Sequence, residues 1–335
     1  MSDSRAVAVL GAGSWGTTLA DLLARKGHEV RLWAYEAEVV EAINARHENR
    51  IFLADVPLSP SLRATGSLAE AVAGAPVVLS ATPSHATRAV LGQVRGALAP
   101  GALVVSATKG LETDTLQPMS AVVAEALPGH RYAVLSGPSF ALEVAQGQPT
   151  AVVAASSDPA AAAETQAIFA TRRFRVYTGS DVAGVELAGA LKNVIAIAAG
   201  MLEGLGLGHN PRAALLTRGL AEITRLGHAV GADPLTFAGL AGMGDLVLTA
   251  TGGLSRNRAL GVALAQGTSL DEWRATHRTV AEGVNSSKAA SALADRLGVE
   301  LPITAKVCEI LFQGKTPQDS VPELMERELK SEQWR

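Results

Sequence analysis

The residues of this chain that could do chemistry fall in a few short segments. Gly11-Ala12-Gly13-Ser14-Trp15-Gly16 has the spacing G-x-G-x-x-G and directly follows the apolar run Ala6 to Leu10. In that setting Gly11 allows a tight turn, Gly13 lets a pyrophosphate approach the backbone, and Gly16 lets helix and strand pack closely. The helix that follows would offer free N–H groups and a partial positive charge to the phosphates. Lys109, in Ser106-Ala107-Thr108-Lys109-Gly110, stands just past a strand's carboxyl end, the edge at which doubly wound sheets hold ligands. Ser136-Gly137-Pro138-Ser139-Phe140-Ala141 places a small, turn-forming set at the end of the next strand. Lys192 and Asn193 lie amid Ala, Val and Ile, where a charge without a partner is costly, and Asp245 and Thr249 are candidate partners. Ser255-Arg256-Asn257-Arg258 is a polar cluster at a helix start, suited to an anion.

Those segments need elements to position them. Ala6 to Leu10 is a short, fully apolar run that reads as a buried strand, and His28 to Trp33 reads as the next strand. Pro76 to Ala81, Ala102 to Ala107 and Tyr132 to Leu135 repeat the short apolar pattern, and Ala151 to Ala155 and Phe174 to Tyr177 are later strand candidates. Helical spacing lies between them, as in Thr17 to Lys26, closed by Gly27, and Glu36 to Arg46. Strands alternating with helices mean parallel pairing, because each parallel step needs a crossover. After about Thr178 the strand pattern stops, and Val182 to Leu202, Pro211 to Gly227, Ser255 to Gln266, Val280 to Leu297 and Pro302 to Gln313 read as helices. The expected architecture is α/β: a Rossmann-type doubly wound, mostly parallel sheet over residues 1–179, followed by an all-α domain over 180–335.

Composition narrows the function classes. With 48% hydrophobic and 18% charged residues in a chain of 335, there is ample material for a core, and disorder is excluded. The formal net charge is −3, so no whole-protein field holds nucleic acid or an anionic membrane, and a phosphate-bearing ligand must be gripped by local groups. The single cysteine, Cys308, forms no intrachain disulfide and reads as packing, and the seven histidines show no metal-ligand spacing. The N-terminus carries only five apolar residues before Gly11, too few for a signal peptide, and no run of 18 uncharged apolar residues occurs. The expectation is a cytoplasmic protein with a small-molecule substrate, no nucleic acid, no membrane insertion and no metal.

The end of the second strand normally selects between NAD and NADP, through an acid for the ribose 2′-hydroxyl or a basic residue for a 2′-phosphate. Here it reads Trp33-Ala34-Tyr35-Glu36, with neither a clear acid at the tip nor an arginine. Arg31 lies within the strand. The charge of Glu36 leans toward NAD without deciding. Taken singly, each candidate also has a plainer reading. Lys192 fits a snorkelling surface lysine, Asp245 a turn or cap residue, Ser255-Arg256-Asn257 a solvated helix start, Lys109 a solvated strand end, and Trp15 a core residue.

Taken together, the segments resemble bacterial NAD(P)-dependent glycerol-3-phosphate dehydrogenases. GAGSWGT at Gly11 to Thr17, ATKGLE at Ala107 to Glu112, SGPSFA at Ser136 to Ala141, LKNVIAIAAG at Leu191 to Gly200, GMGDLVLT at Gly242 to Thr249, SRNR at Ser255 to Arg258 and EG at Glu282-Gly283 carry the resemblance from Val7 to about Pro322. It implies that Ser14 and Trp15 lie against the dinucleotide, with Lys109 touching cofactor and substrate. Gly137 and Ser139 would meet the substrate and Ala141 the cofactor. Lys192 would be the catalytic proton acceptor, and Asp245, Ser255, Arg256 and Asn257 would contact the substrate, with Asn193 able to bond it. Arg256, Val280 and Glu282 would reach the cofactor. Tyr35 stands at a cofactor position where the family usually carries an arginine, so the family's usual use of NADPH does not transfer by itself. The implied cofactor is NAD(P)(H), the implied role supply of glycerol 3-phosphate for phospholipid synthesis, and the implied assembly a homodimer. Two rivals remain: a related two-domain hydroxy-acid dehydrogenase, with a carboxylate pocket in place of the phosphate clamp, and a non-catalytic dinucleotide sensor.

Overall fold

Apolar runs become central strands here because both of their faces are covered. In the strand Ala6–Leu10, Val7 and Val9 join one core cluster with Leu19 and Leu23, while Ala8 and Leu10 join a second with Leu91 and Val94. No polar face is needed, so no alternation is seen in the sequence. The computed structural model describes residues 4–277, 281–329 and 331–332. The strands among them are β1 (Ala6–Leu10), β2 (Glu29–Trp33), β3 (Arg63–Thr65), β4 (Val77–Ser80), β5 (Leu103–Ser106), β6 (Arg131–Ser136), β7 (Thr150–Ala155) and β8 (Phe174–Gly179). They form one sheet in the order β3-β2-β1-β4-β5-β6-β7-β8. Every neighbouring pair is parallel except β6 and β7.

The interleaved helices are α1 (Ser14–Arg25), α2 (Ala37–Arg46), α3 (Leu68–Val72), α4 (Ser84–Val94), α5 (Met119–Ala126), α6 (Ala141–Ala145) and α7 (Pro159–Phe169). Then come α8 (Val182–Gly204), α9 (His209–Ala229), α10 (Pro234–Ala238), a π-helical turn at Leu240–Gly244, α11 (Asp245–Thr251), α12 (Arg256–Ala265), α13 (Leu270–Thr276), α14 (Glu282–Leu297), α15 (Pro302–Gln313) and α16 (Pro317–Met325). The mostly parallel sheet followed by a helical region is the expected class. Two details differ from the pattern-based reading. Strand β3 has only three residues, one of them exposed, and leaves no hydrophobic signature. Strand β7 runs back along β6, with Val134 opposite Ala155, and the helix in the intervening link, α6, has only five residues.

The chain divides into two compact units, Met1–Lys109 with Gln117–Val182, and Gly110–Leu116 with Ala183–Arg335. In the first, strand order reverses between β1 and β4, so their carboxyl ends form the topological switch point. In the second, α8 and α12 touch backbone to backbone. A Cβ on Gly200 would lie 2.0 Å from the Arg258 carbonyl oxygen, and one on Gly261 would lie 2.0 Å from that of Ile197. Helix α8 is, by length and composition, apolar enough to cross a membrane, but 89% of its most apolar window is buried. It is a core helix of this unit.

A buried acid ties two helices of this unit. Glu222 of α9 accepts from the Ile303 amide at 2.6 Å, and from the amide and hydroxyl of Thr304 at 3.2 and 3.1 Å. These are first-turn donors of α15, whose N-cap, Leu301, has no side chain able to serve them. Burial pushes the Glu222 carboxyl up to about 7, the amide and hydroxyl bonds opposing it. The folded state therefore holds this proton more tightly than the unfolded chain. The associated stability is full below pH ~4.5 and is lost as pH rises through about 7. Relative to Glu222→Gln, which has no such titration, the wild-type protein is expected to lose about 3 kcal/mol between pH ~4.5 and ~8. Urea unfolding of both proteins across that range measures it, and a constant difference would contradict it.

Candidate active site

The glycine turn of the first unit is built by close approach. Gly11 has φ +109°, and a Cβ there would lie 2.9 Å from the Ala81 carbonyl oxygen. A Cβ on Gly16 would lie 1.9 Å from the oxygen of Gly11, so helix α1 can start only without a side chain at that place. Gly13, the N-cap, meets nothing within 4 Å, which leaves its backbone approachable. The first-turn amides of α1 have no intrahelical acceptor and face this approach. The turn thus fits a pyrophosphate. The helix starts at Ser14 rather than Thr17, because the glycine turn itself forms its first turn.

Around the turn, Ser14 donates its hydroxyl to the Phe52 carbonyl. Trp15 packs partly into the core, its ring 6.4 Å from that of Phe174, and its indole N–H has no acceptor among the described residues. Ala141 opens α6 and accepts from the Thr18 hydroxyl at 3.1 Å. Sequence reasoning missed Asn49. Its buried amide donates to the Ala12 carbonyl and to the Thr17 hydroxyl, both at 2.9 Å, while Thr17 also donates to Ala12 at 3.0 Å. An asparagine in a polar loop gives no warning of this role.

At the same sheet edge, Lys109 donates to the Gly137 carbonyl at 3.1 Å, and Ser139 donates to the same oxygen at 3.0 Å. Gly137 has φ +143°, and a Cβ there would press to 2.9 Å from Val152 Cα. Thr108 is fixed by a 2.8 Å bond to the Thr82 carbonyl. Tyr35, after β2, is 84% exposed.

In the second unit, Lys192 of α8 is buried, its side chain 8% exposed. Its amine donates to Asp245 Oδ1 at 2.6 Å and to Thr249 Oγ1 at 2.7 Å. Thr249 in turn donates to the same Asp245 oxygen at 3.2 Å. Asp245 is delivered by the π-helical turn into the first position of α11. Asn193, the next residue of α8, accepts from Asn257 Nδ2 at 2.9 Å, and Asn257 Oδ1 accepts from the Gly283 amide at 2.9 Å. This chain of amides joins α8, α12 and the start of α14. Ser255 caps α12, accepting from the Arg258 amide at 3.2 Å. Arg256 is exposed, and its guanidinium makes no hydrogen bond among the described residues. Desolvation by its surroundings lowers its proton affinity, and the Glu282 carboxylate, at the start of α14, raises it. Val280 lies outside the described residues. Among the described residues no group of three or more His, Cys, Asp or Glu could hold a metal ion.

The site residues thus fall into two sets. One gathers at the carboxyl edge of the sheet, and the other at the crossing of α8, α11, α12 and α14. A glycine turn of this build at the switch point of a doubly wound sheet places the chain in the dinucleotide-binding class. Comparison with known proteins narrows it. Residues 6–162 match the N-terminal model, and residues 181–322 the C-terminal model, of NAD-dependent glycerol-3-phosphate dehydrogenase, and the chain belongs to that family. It is 57% identical over 334 residues to the glycerol-3-phosphate dehydrogenase [NAD(P)+] of Geobacter sulfurreducens, covering 99% of this chain and 100% of that one. The glycerol-3-phosphate dehydrogenase of Coxiella burnetii superposes with a TM-score of 0.94 at 41% identity, covering 97% of this chain and 99% of that one. The Saccharomyces cerevisiae enzyme does so with 0.82 at 27% identity, covering 97% and 99%.

The amide network yields its own test. A Cβ on Gly283 would stand 2.7 Å from the Asn193 carbonyl oxygen and 2.8 Å from Asn257 Oδ1. Gly283→Ala is expected to lower unfolding free energy by about 1–3 kcal/mol through overpacking. Gly92→Ala, at an exposed helical position with nothing within 4 Å, is expected to be neutral or to stabilise by up to about 1 kcal/mol. Chemical denaturation compares the two.

Proposed function

We propose that this chain reversibly interconverts dihydroxyacetone phosphate and sn-glycerol 3-phosphate in the cytoplasm, supplying the latter for phospholipid synthesis, with Lys192 moving the proton at the C2 oxygen. The observation that carries this reading is the buried amine fixed at once by Asp245 and Thr249. Bound NAD(P)H supplies the hydride that goes to C2. The pyrophosphate of that cofactor would be held by the turn Gly11 to Gly16, with Ser14, Trp15, Tyr35, Lys109 and Ala141 as further cofactor residues of the first unit, and Arg256 and Glu282 as proposed cofactor residues of the second.

In the reducing direction the Lys192 ammonium gives its proton to the oxygen forming at C2; in the oxidising direction the neutral amine takes it back from the hydroxyl. Asp245 and Thr249 hold the amine in one place, so a mobile lysine becomes a positioned acid. Proton transfer of that kind contributes about 10²–10⁴-fold. Arg256 serves the substrate phosphate, because a guanidinium with no other hydrogen bond can grip two of its oxygens in a fork. Lys109, Gly137, Ser139, Ser255, Asn193 and Asn257 complete the proposed substrate residues, Asn193 and Asn257 being tied to each other and Asn257 to the Gly283 amide. A homodimer belongs to the same proposal, and light scattering checks it.

Lys192→Ala is expected to lower kcat by about 10²–10⁴-fold while the dinucleotide still binds. Stopped-flow turnover beside calorimetric titration separates the two effects, and a near-normal kcat would remove Lys192 from the chemistry. Arg256→Ala is expected to raise KM for dihydroxyacetone phosphate by about 10- to 100-fold, the worth of a charge-assisted bond, and much more than it raises KM for unphosphorylated dihydroxyacetone. Equal effects on both would contradict a phosphate clamp. Oxidation of reduced dinucleotide with dihydroxyacetone phosphate but not with 2-keto acids distinguishes this activity from that of a hydroxy-acid dehydrogenase, and any turnover dismisses a silent sensor.

A further inference from the structure

The charges around the end of β2 bear on which dinucleotide the turn accepts. Glu36 is the N-cap of α2, yet its side chain makes no cap hydrogen bond, and no other hydrogen bond or ion pair engages it among the described residues. Its neighbour Tyr35 is largely exposed, and Glu38 adds a second carboxylate in the first turn of the helix. Four arginines lie on the surrounding segments β2, α2, β3 and the loop after α2, and each is already committed. Arg31 reaches away from the strand end to the carbonyls of Glu70 and Ala73, at 2.7 and 2.6 Å. Arg63 bonds the carbonyls of Pro60 and Leu62, at 2.6 and 3.1 Å. Arg46 and Arg50 both pair with Glu48, at 2.7 and 2.9 Å. The strand end therefore presents a free carboxylate and, among the described residues, no free cation.

In a doubly wound sheet the adenosine ribose sits beside this strand end, following from the pyrophosphate on the first βα turn. A ribose 2′-hydroxyl there can donate to a free carboxylate. A 2′-phosphate would instead bring about two negative charges toward Glu36 and Glu38, with no guanidinium to meet them. We propose that Glu36 makes this chain select NADH over NADPH, by accepting from the 2′-hydroxyl and repelling a 2′-phosphate. The selection rests on the dehydrogenase reading only for its use in turnover; the binding preference is a property of the first unit's own residues. Tyr35, exposed and uncharged, adds no countercharge.

Isothermal titration calorimetry of the full chain with NADH and with NADPH tests it without catalysis. Wild type is expected to bind NADH at least about tenfold more tightly, a difference of about 1.4 kcal/mol. Glu36→Gln keeps an acceptor for the hydroxyl and removes the charge, so NADPH affinity is expected to rise about three- to tenfold with NADH affinity little changed. Glu36→Arg is expected to reverse the preference. Raising salt from about 0.05 to 0.5 M is expected to narrow the wild-type ratio, as repulsion between partly exposed charges is screened. Equal or tighter binding of NADPH by wild type overturns the proposal, as does a ratio untouched by Glu36→Gln, and binding of neither dinucleotide overturns it together with the cofactor site itself. Tight, selective NADH binding without turnover of dihydroxyacetone phosphate would uphold the selection and sink the proposed reaction.

Discussion

An amine with 8% of its side chain exposed survives inside a protein only if something accepts its protons, and in this chain that acceptor is Asp245. The arrangement of the helical unit serves this pair. Helix α8 carries Lys192 through an apolar interior, the π-helical turn delivers Asp245 to the head of α11, and one turn further Thr249 bonds both partners. Removing one member of such a pair leaves a bare buried charge, which costs about 3–5 kcal/mol. The geometry that orients the amine therefore also contributes to the stability of this unit.

A second constraint holds the neighbouring polar residues in register. Helices α8 and α12 meet through Gly200 and Gly261 with no side chain between them, and this brings Asn193 within reach of Asn257. Gly283 then comes close enough for its amide to close the chain. Packing and polar satisfaction are coupled, since a methyl group at any of these glycines would push apart groups that must stay bonded.

Much of this was legible in the sequence, for identifiable reasons. The central strands were readable because burial on both faces leaves a run of apolar residues with no alternation, as in Val77–Ser80 and Leu103–Ser106. Lys192 was readable because a charge amid Ala, Val and Ile demands a partner. The reversal of β7 was not, since strand direction depends on how a link folds back and not on the strand's own composition. Strand β3, with three residues, is too short to show a period. Gly200 and Gly261 look like any helical glycines until the opposing backbone is known, and Asn49 looks like any loop asparagine until its two acceptors are in place.

Asn49 has a consequence of its own. By clasping the Ala12 carbonyl and the Thr17 hydroxyl, it freezes the glycine turn from the side away from the solvent. The conformational freedom of that loop is surrendered when the chain folds, so little ordering remains to be done when a nucleotide arrives. Recognition then resembles docking into a rigid mould, and the dissociation rate of the nucleotide, more than its capture, becomes the quantity that neighbouring side chains can adjust.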